Sequence, residues 1–408
     1  MLLSRLRGRV ATLCLTTVAA AALVASPAAA AEPPSFYDPP TPLPPGENGD
    51  VIRHEPAEFF LDPLKTVRAP ADAQRIMYRS TDTHGEPMAV TGTVLTPHVP
   101  WNGPGERPIV GYAPGTQGVG DDCAPSKALA AGLEYEGPFI SGLLARGYAV
   151  VVTDYQGLGT PGVHTYVNRV AQGHAVLDAI RAAQQLDEAN LPDDGPVGIT
   201  GYSQGGGAAA SAAELQPTYA PELDLKGVYA GAPPADLTDT AELLDGSYGV
   251  GLVGFALAGM HAAYPDLNIP DVLNERGKAL LEDISDDCII DIFKYSFTRS
   301  SDLTVDGRPL TDYLAEEPYR SRVDEQVIGR IDPEVPVLVA HSRFDDLVPF
   351  EQARRMAESW CEQGATVRFA AYPTPTHVAT AIAAYPEAFA FLEHRFADVP
   401  APSNCGEF

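Results

Sequence analysis

Basic residues are scarce. Only 27 lysines and arginines face 54 aspartates and glutamates, giving a formal net charge of −27. Repulsion from phosphate then argues against nucleic acid or an anionic membrane as a partner. Cysteine is scarce as well. None of the five belongs to a Cys-x-x-Cys pair or is accompanied by a histidine pair, so the zinc-binding spacings are excluded and no metal is expected. No apolar run reaches the roughly 20 residues needed to span a bilayer, so no transmembrane anchor is expected. No internal repeat stands out. What the chain does have is 45% apolar residues in 408, enough for a large core and incompatible with disorder throughout.

The one extended apolar run opens the chain. Arg5, Arg7 and Arg9 precede it, it covers residues 10 to about 24, and small residues fill 26–31 ahead of Glu32. Together these read as a secretory signal over 1–31, removed to leave an extracellular protein. Cys14 lies inside the run, whereas a lipid-attachment cysteine would follow it. Losing the signal takes three arginines from a net of −27, leaving −30, and spares Cys123, Cys288, Cys361 and Cys405. Four cysteines in an oxidising compartment read as two disulfides, with three pairings open.

Residues 32–58 form a Pro-rich N-terminal segment, whose stretch from 32 to about 50 is expected to be extended and without a core of its own. Period-two alternation over 73–80 and 88–95, around His84-Gly85, predicts an antiparallel hairpin. Beyond it, strands at 108–113, 148–154, 196–200, 225–230, 335–341 and 366–372 alternate with helices, the last running to 396. That pattern predicts an α/β fold: a mostly parallel central sheet with helices on both faces, all within one domain, 59–408. The gap between the strands at 225–230 and 335–341 is too long for an ordinary connection. Residues of about 236–324 are therefore read as an inserted helical cap over the carboxyl edge of the sheet. Its apolar stripes suit plain core first and the wall of an acyl-binding tunnel second.

Chemistry concentrates in four short segments. Gly201-Tyr-Ser-Gln-Gly-Gly206 sits between a strand and an Ala-rich helix, the setting of a nucleophile elbow with Ser203 at its tip. Acyl transfer at a serine needs a base, an acid to orient that base, and donors for the oxyanion. In an α/β-hydrolase they follow in the order Ser, Asp or Glu, His. Asp345, at the end of the strand 335–341, supplies the acid. Asp346 is its rival, or a cap for the helix that follows. His377, on the loop after the last strand, supplies the base. His341, close to Asp345, would either support that acid or be a buried histidine with its nitrogens satisfied, and the second reading is preferred. The oxyanion donors would be the Gln204 N–H and that of Thr116 or Gln117, in the Gly-containing turn after 108–113.

Taken together, Pro114-Gly-Thr-Gln-Gly118, Cys123-Ala-Pro-Ser126, the elbow, His341-Ser-Arg-Phe-Asp-Asp-Leu-Val-Pro349 and Tyr372-Pro-Thr-Pro-Thr-His377 resemble the secretory lipase family, which includes fungal lipase A types and actinobacterial extracellular lipases. The resemblance implies Ser203 as nucleophile, Asp345 as acid, His377 as base, a helical cap, and disulfides Cys123 to Cys288 and Cys361 to Cys405. One departure stands out. Some members carry an acid in the oxyanion turn where this chain has Thr116-Gln117. The expected protein is a secreted, monomeric serine hydrolase of lipid esters such as triacylglycerols, needing no cofactor. The rivals are a soluble carboxylesterase or polyester hydrolase, a serine peptidase, and an inactive hydrolase fold used for binding.

Overall fold

The computed structural model describes residues 35–408, so the segment 1–31 read as a signal lies outside the described residues. Three antiparallel strands come first: β1 (Val51–Ala57), β2 (Ala71–Thr81) and β3 (Pro87–Pro97). The β2–β3 hairpin has Ala73 opposite Leu95 and Ser80 opposite Met88. Its turn falls at 82–86, with Gly85 at φ 80°. Strand β1 lies just past the stretch expected to be extended and coreless, in a part of the segment 32–58 for which no strand was expected. It pairs only with β2, at the edge of the sheet, where Pro56 costs no ladder bond on the open side. The Pro-rich lead-in is also docked. Tyr37 is buried, with its hydroxyl 2.9 Å from Ser126 Oγ.

The remaining elements alternate as expected. They are β4 (Ile109–Ala113), α1 (Pro125–Ala131), α2 (Gly137–Ala145), β5 (Ala149–Thr153), α3 (Arg169–Gln185), β6 (Val197–Tyr202), α4 (Gln204–Tyr219) and β7 (Leu225–Gly231). An insertion follows, with α5 (Leu237–Leu244), α6 (Gly251–Ala263), α7 (Glu275–Ile284), α8 (Leu310–Leu314) and α9 (Tyr319–Asp324). The chain closes with β8 (Val337–Ser342), α10 (Phe350–Gln363), β9 (Val367–Tyr372) and α11 (His377–Phe396). The sheet order is β1-β2-β3-β5-β4-β6-β7-β8-β9, parallel from β5 to β9.

The inner parallel strands read as mostly apolar runs because both of their faces are covered, with Lys226 near the start of β7 and Arg368 on the edge strand β9 as exceptions. Ile109, Val151, Val339 and Val367 point into a core shared with α3, α4 and α10. Val110, Tyr112, Val150, Val152 and Leu338 point the other way, against α1, α2 and α11. Cores on both faces hold the sheet rigid and leave its carboxyl edge, where the βα loops gather, free for chemistry.

Most of the apolar surface of the insertion is spent on its own core. Phe255, Leu267, Leu281, Ile284 and Ile292 cluster with Tyr166 and Val167 from the loop before α3. Two disulfides form, Cys123–Cys288 and Cys361–Cys405, with Cα separations of 5.4 and 5.5 Å. The first ties the insertion to the loop after β4, and a Gly118–Cys288 backbone bridge reinforces the tie. Among the described residues no helix is long and apolar enough to cross a membrane.

Candidate active site

Ser203 links β6 to α4 at φ 61°, ψ −123°, a region an L-residue occupies only under constraint. The glycines of the elbow make the turn possible. A Cβ on Gly205 would lie 2.0 Å from Ala113 O, and one on Gly206 would lie 2.0 Å from Gly231 O. The turn is pinned by the Ser203 N–H donating to Gly231 O at 2.9 Å. Strain held by close packing lifts the side chain to the carboxyl edge, as the pentapeptide predicted.

The acid and base segments arrive at the same edge. Asp345 Oδ2 accepts from His377 Nδ1–H at 2.8 Å, while its Oδ1 accepts the Leu347 and Val348 amides at 3.0 and 2.8 Å. Burial alone would raise the Asp345 carboxyl, but hydrogen bonds from His341 and His377 hold it well below the usual carboxylate range. The bond at Nδ1 leaves the buried Nε2 of His377 as the acceptor, and it makes no hydrogen bond of its own. His377 is the first residue of α11, one step past the loop that was expected to carry it, with Thr376 as the cap.

Two expectations change here. His341 is not a satisfied bystander. Its Nε2 lies 3.0 Å from Val348 O and 3.4 Å from Asp345 Oδ2, and its buried Nδ1 has no partner. Asp346 does not cap α10, whose N-cap is Pro349. Its Oδ1 accepts the His377 N–H at 2.8 Å and its Oδ2 accepts from the Tyr248 hydroxyl of the insertion at 2.7 Å. A carboxylate at the N-terminus of α11 suits the helix dipole, so the adjacent acids divide the two ends of one histidine between them. Tyr202, the residue before Ser203, adds a third hold by donating to His377 O at 2.7 Å.

On the other side of Ser203, Gln204, Thr116 and Gln117 are all buried. The Gly115 N–H is already used, donating to Glu136 Oε2 at 2.7 Å. Thr116 and Gln117 remain the candidates in that turn, and nothing chooses between them. The Gln204 side chain is fixed by His164, which the sequence analysis did not single out. Burial pushes His164 down to about 4, so it is neutral. Its Nδ1–H donates to Gln156 O at 2.7 Å, leaving Nε2 to accept from Gln204 Nε2 at 2.8 Å. Glu134 and Glu136, buried beneath the turn, were also not foreseen, since two acids in a loop resemble solvated charge. Both face the turn, Glu136 Oε2 accepting the Gly115 N–H and Glu134 Oε1 accepting from Gln117 Nε2.

A cavity opens at Ser203 and Gln204. Its walls are apolar: Leu237 and Leu244 from α5, Val253 and Ala256 from α6, with Leu347 and Val348. Leu237 and Ala256 also belong to the core of the insertion, so the cavity wall is the outer side of that core. Among the described residues no cluster of potential ligands could hold a metal ion.

A family model described as secretory lipase matches residues 124–404. A probable inactive lipase of Mycobacterium tuberculosis is 30% identical over 379 residues, covering 90% of this chain and 82% of that protein. A secreted triacylglycerol lipase of Malassezia globosa is also 30% identical over 379 residues, covering 89% of this chain and 78% of that one. Among solved structures, Candida antarctica lipase A in its closed state superposes with a TM-score of 0.79 at 27% identity, covering 88% of this chain and 85% of that chain.

Proposed function

The chain belongs to the secretory lipase family, and from that membership we propose that it is an extracellular, monomeric hydrolase of lipid carboxylic esters, triacylglycerols foremost, using Ser203, His377 and Asp345. The observation that carries this reading is the 2.8 Å Asp345–His377 bond at the edge bearing the strained Ser203, beside an apolar cavity. His377 Nε2 takes the Ser203 hydroxyl proton as Oγ attacks the ester carbonyl. The proton then passes to the departing alkoxide, which leaves as the alcohol. Water, losing a proton to His377, attacks the acyl-enzyme and releases the carboxylic acid, returning Ser203. The Gln204 N–H and one from Thr116 or Gln117 would stabilise the oxyanion. Asp345, held ionised, orients the imidazole and stabilises its cation. The acyl chain would lie along Leu237, Leu244 and Val253.

Replacing Ser203 with Ala should lower kcat by ~10⁶, and a fluorophosphonate should label the native chain at Ser203. An unchanged rate removes the triad. The second reading, a silent hydrolase fold used for binding, is favoured by the M. tuberculosis relative described as inactive. A purified, folded native chain that hydrolyses no ester and takes no label would select it. A profile from acetyl to oleoyl esters, with and without an emulsified interface, separates a lipase from a soluble carboxylesterase.

A further inference from the structure

The oxyanion turn is gripped at three consecutive residues by three consecutive residues of another loop. The Gly115 N–H donates to Glu136 Oε2 at 2.7 Å, the Tyr135 hydroxyl donates to Thr116 O at 3.1 Å, and Gln117 Nε2 donates to Glu134 Oε1 at 3.1 Å. Glu134 Oε1 also accepts the Glu136 N–H at 3.0 Å, which braces the gripping loop itself. A Cβ at residue 115 would lie 2.6 Å from the Tyr135 hydroxyl and 3.3 Å from Tyr202 O, so a side chain there would displace Tyr135 from the turn. Glycine rotates freely, so a turn built on it needs an outside restraint to aim its amides.

The restraint is made of two buried acids without a cation. Besides each other, the groups acting on Glu134 and Glu136 are Asp154 after β5 and the hydroxyls of Tyr112, Tyr135, Tyr155, Tyr229 and Tyr385. No lysine, arginine or histidine is among them. Two unpaired negative charges in so apolar a place are costly, and they would also oppose an oxyanion forming above them. Burial pushes Glu134 up to about 7. Burial and the neighbouring Glu134 raise Glu136 well above its ordinary value.

Resting on the Ser203 reading above, we infer that residues 134–136 are the positioning element of the oxyanion turn, and that they aim its amides only while the two carboxyls together carry at most one negative charge. Glu136 fixes the Gly115 peptide, Tyr135 fixes the carbonyl of Thr116, and Glu134 fixes the far end through Gln117. A protonated carboxyl still accepts through its carbonyl oxygen, so the grip survives the neutral form, and a second ionisation loosens it.

The test is steady-state ester hydrolysis from pH 5 to 9 by the native chain and by Ser203→Ala, Glu136→Ala, Glu136→Gln and Glu134→Gln. Glu136→Ala should lower kcat about 10²-fold, the loss typical of one oxyanion donor, with KM changed less than about twofold. Glu136→Gln, which keeps a carbonyl acceptor, should recover most of that loss. Native kcat should fall on the alkaline side, and Glu134→Gln should move that fall upward while the acid limb stays in place. Native kcat in Glu136→Ala, in an enzyme that Ser203→Ala abolishes, overturns the inference. Should Glu136→Ala lose its near-ultraviolet circular dichroism, the Glu134→Gln profile decides, and a profile coincident with the native one overturns the inference. A Ser203→Ala variant of undiminished rate condemns the triad reading instead.

Discussion

Asp345 and the Glu134–Glu136 pair are all buried carboxyls that reach the edge bearing Ser203, yet their charge is pushed in opposite directions. Asp345 is held down by two imidazoles, at 2.8 and 3.4 Å, that can carry the compensating charge. Glu134 and Glu136 receive only backbone amides, a carboxamide and phenols, so burial prevails and they are raised. Depth alone does not decide the state of a buried acid. The donors do, and a donor able to become a cation reverses the sign. Each state suits its place, since an anion belongs behind the imidazolium and a neutral group belongs beneath an oxyanion.

The largest effect that would break this contrast is at Asp345. Asp345→Asn keeps the shape and removes the charge, and it should cost ~10⁴ in kcat by favouring the wrong tautomer of His377. A loss under tenfold would mean the charge of Asp345 is dispensable and the contrast with the glutamates idle. Stability sharpens the other half. A carboxyl raised from 4.5 to about 7 on folding keeps its proton only in the folded chain across that window, so its ionisation lowers stability as pH rises through it. Glu134→Gln removes that loss, and its Tm should gain on the native Tm by about a few degrees between pH 5 and 8. Asp345 has the opposite sign. Its folded value is lowered from 3.8, so its stabilisation is present above that pH and lost on acidification. A Tm difference between Glu134→Gln and the native chain that is flat with pH would show the glutamates to be ionised and compensated.

The same contrast separates what was legible in the sequence from what was not. Strands β4 to β8 were legible because both of their faces are buried and their residues are mostly apolar, and β9, at the edge, was legible from its alternation around Arg368. The Ser203, Asp345, His377 order was legible because each follows a strand and the fold allows one order. Strand β1 was hidden because it follows a Pro-rich stretch and carries Pro56, which an edge strand tolerates. His164 was hidden because it precedes the nucleophile, and its role passes through Gln204. Glu134 and Glu136 were hidden because an acid in a loop reads as solvated until the loop is seen to be covered. The pairing Cys123–Cys288 was suggested by family resemblance, while spacing alone left three choices open. Residues proposed to touch the reaction follow a pattern along the chain, whereas those that hold them depend on contacts across it.

The smallest effect probes the junction of the two regions with the insertion. Asp346 adjoins Asp345, but its partners are a backbone N–H and the Tyr248 hydroxyl, which are neutral like those of the glutamates. It is less enclosed than they are, and the N-terminus of α11 supplies the positive end of a dipole in place of a cation. Asp346→Ala should therefore release the His377 backbone, lowering stability by about 1 kcal/mol and kcat by about tenfold, with KM unchanged. Tyr248→Phe removes only the contact from the insertion and should cost about twofold or less, because the His377 N–H keeps its acceptor. Equal losses in the two variants would mean that the insertion, through Tyr248, positions the base. Measuring kcat and thermal stability of both variants on one soluble ester decides between a base held by its own helix and a base held by the cap.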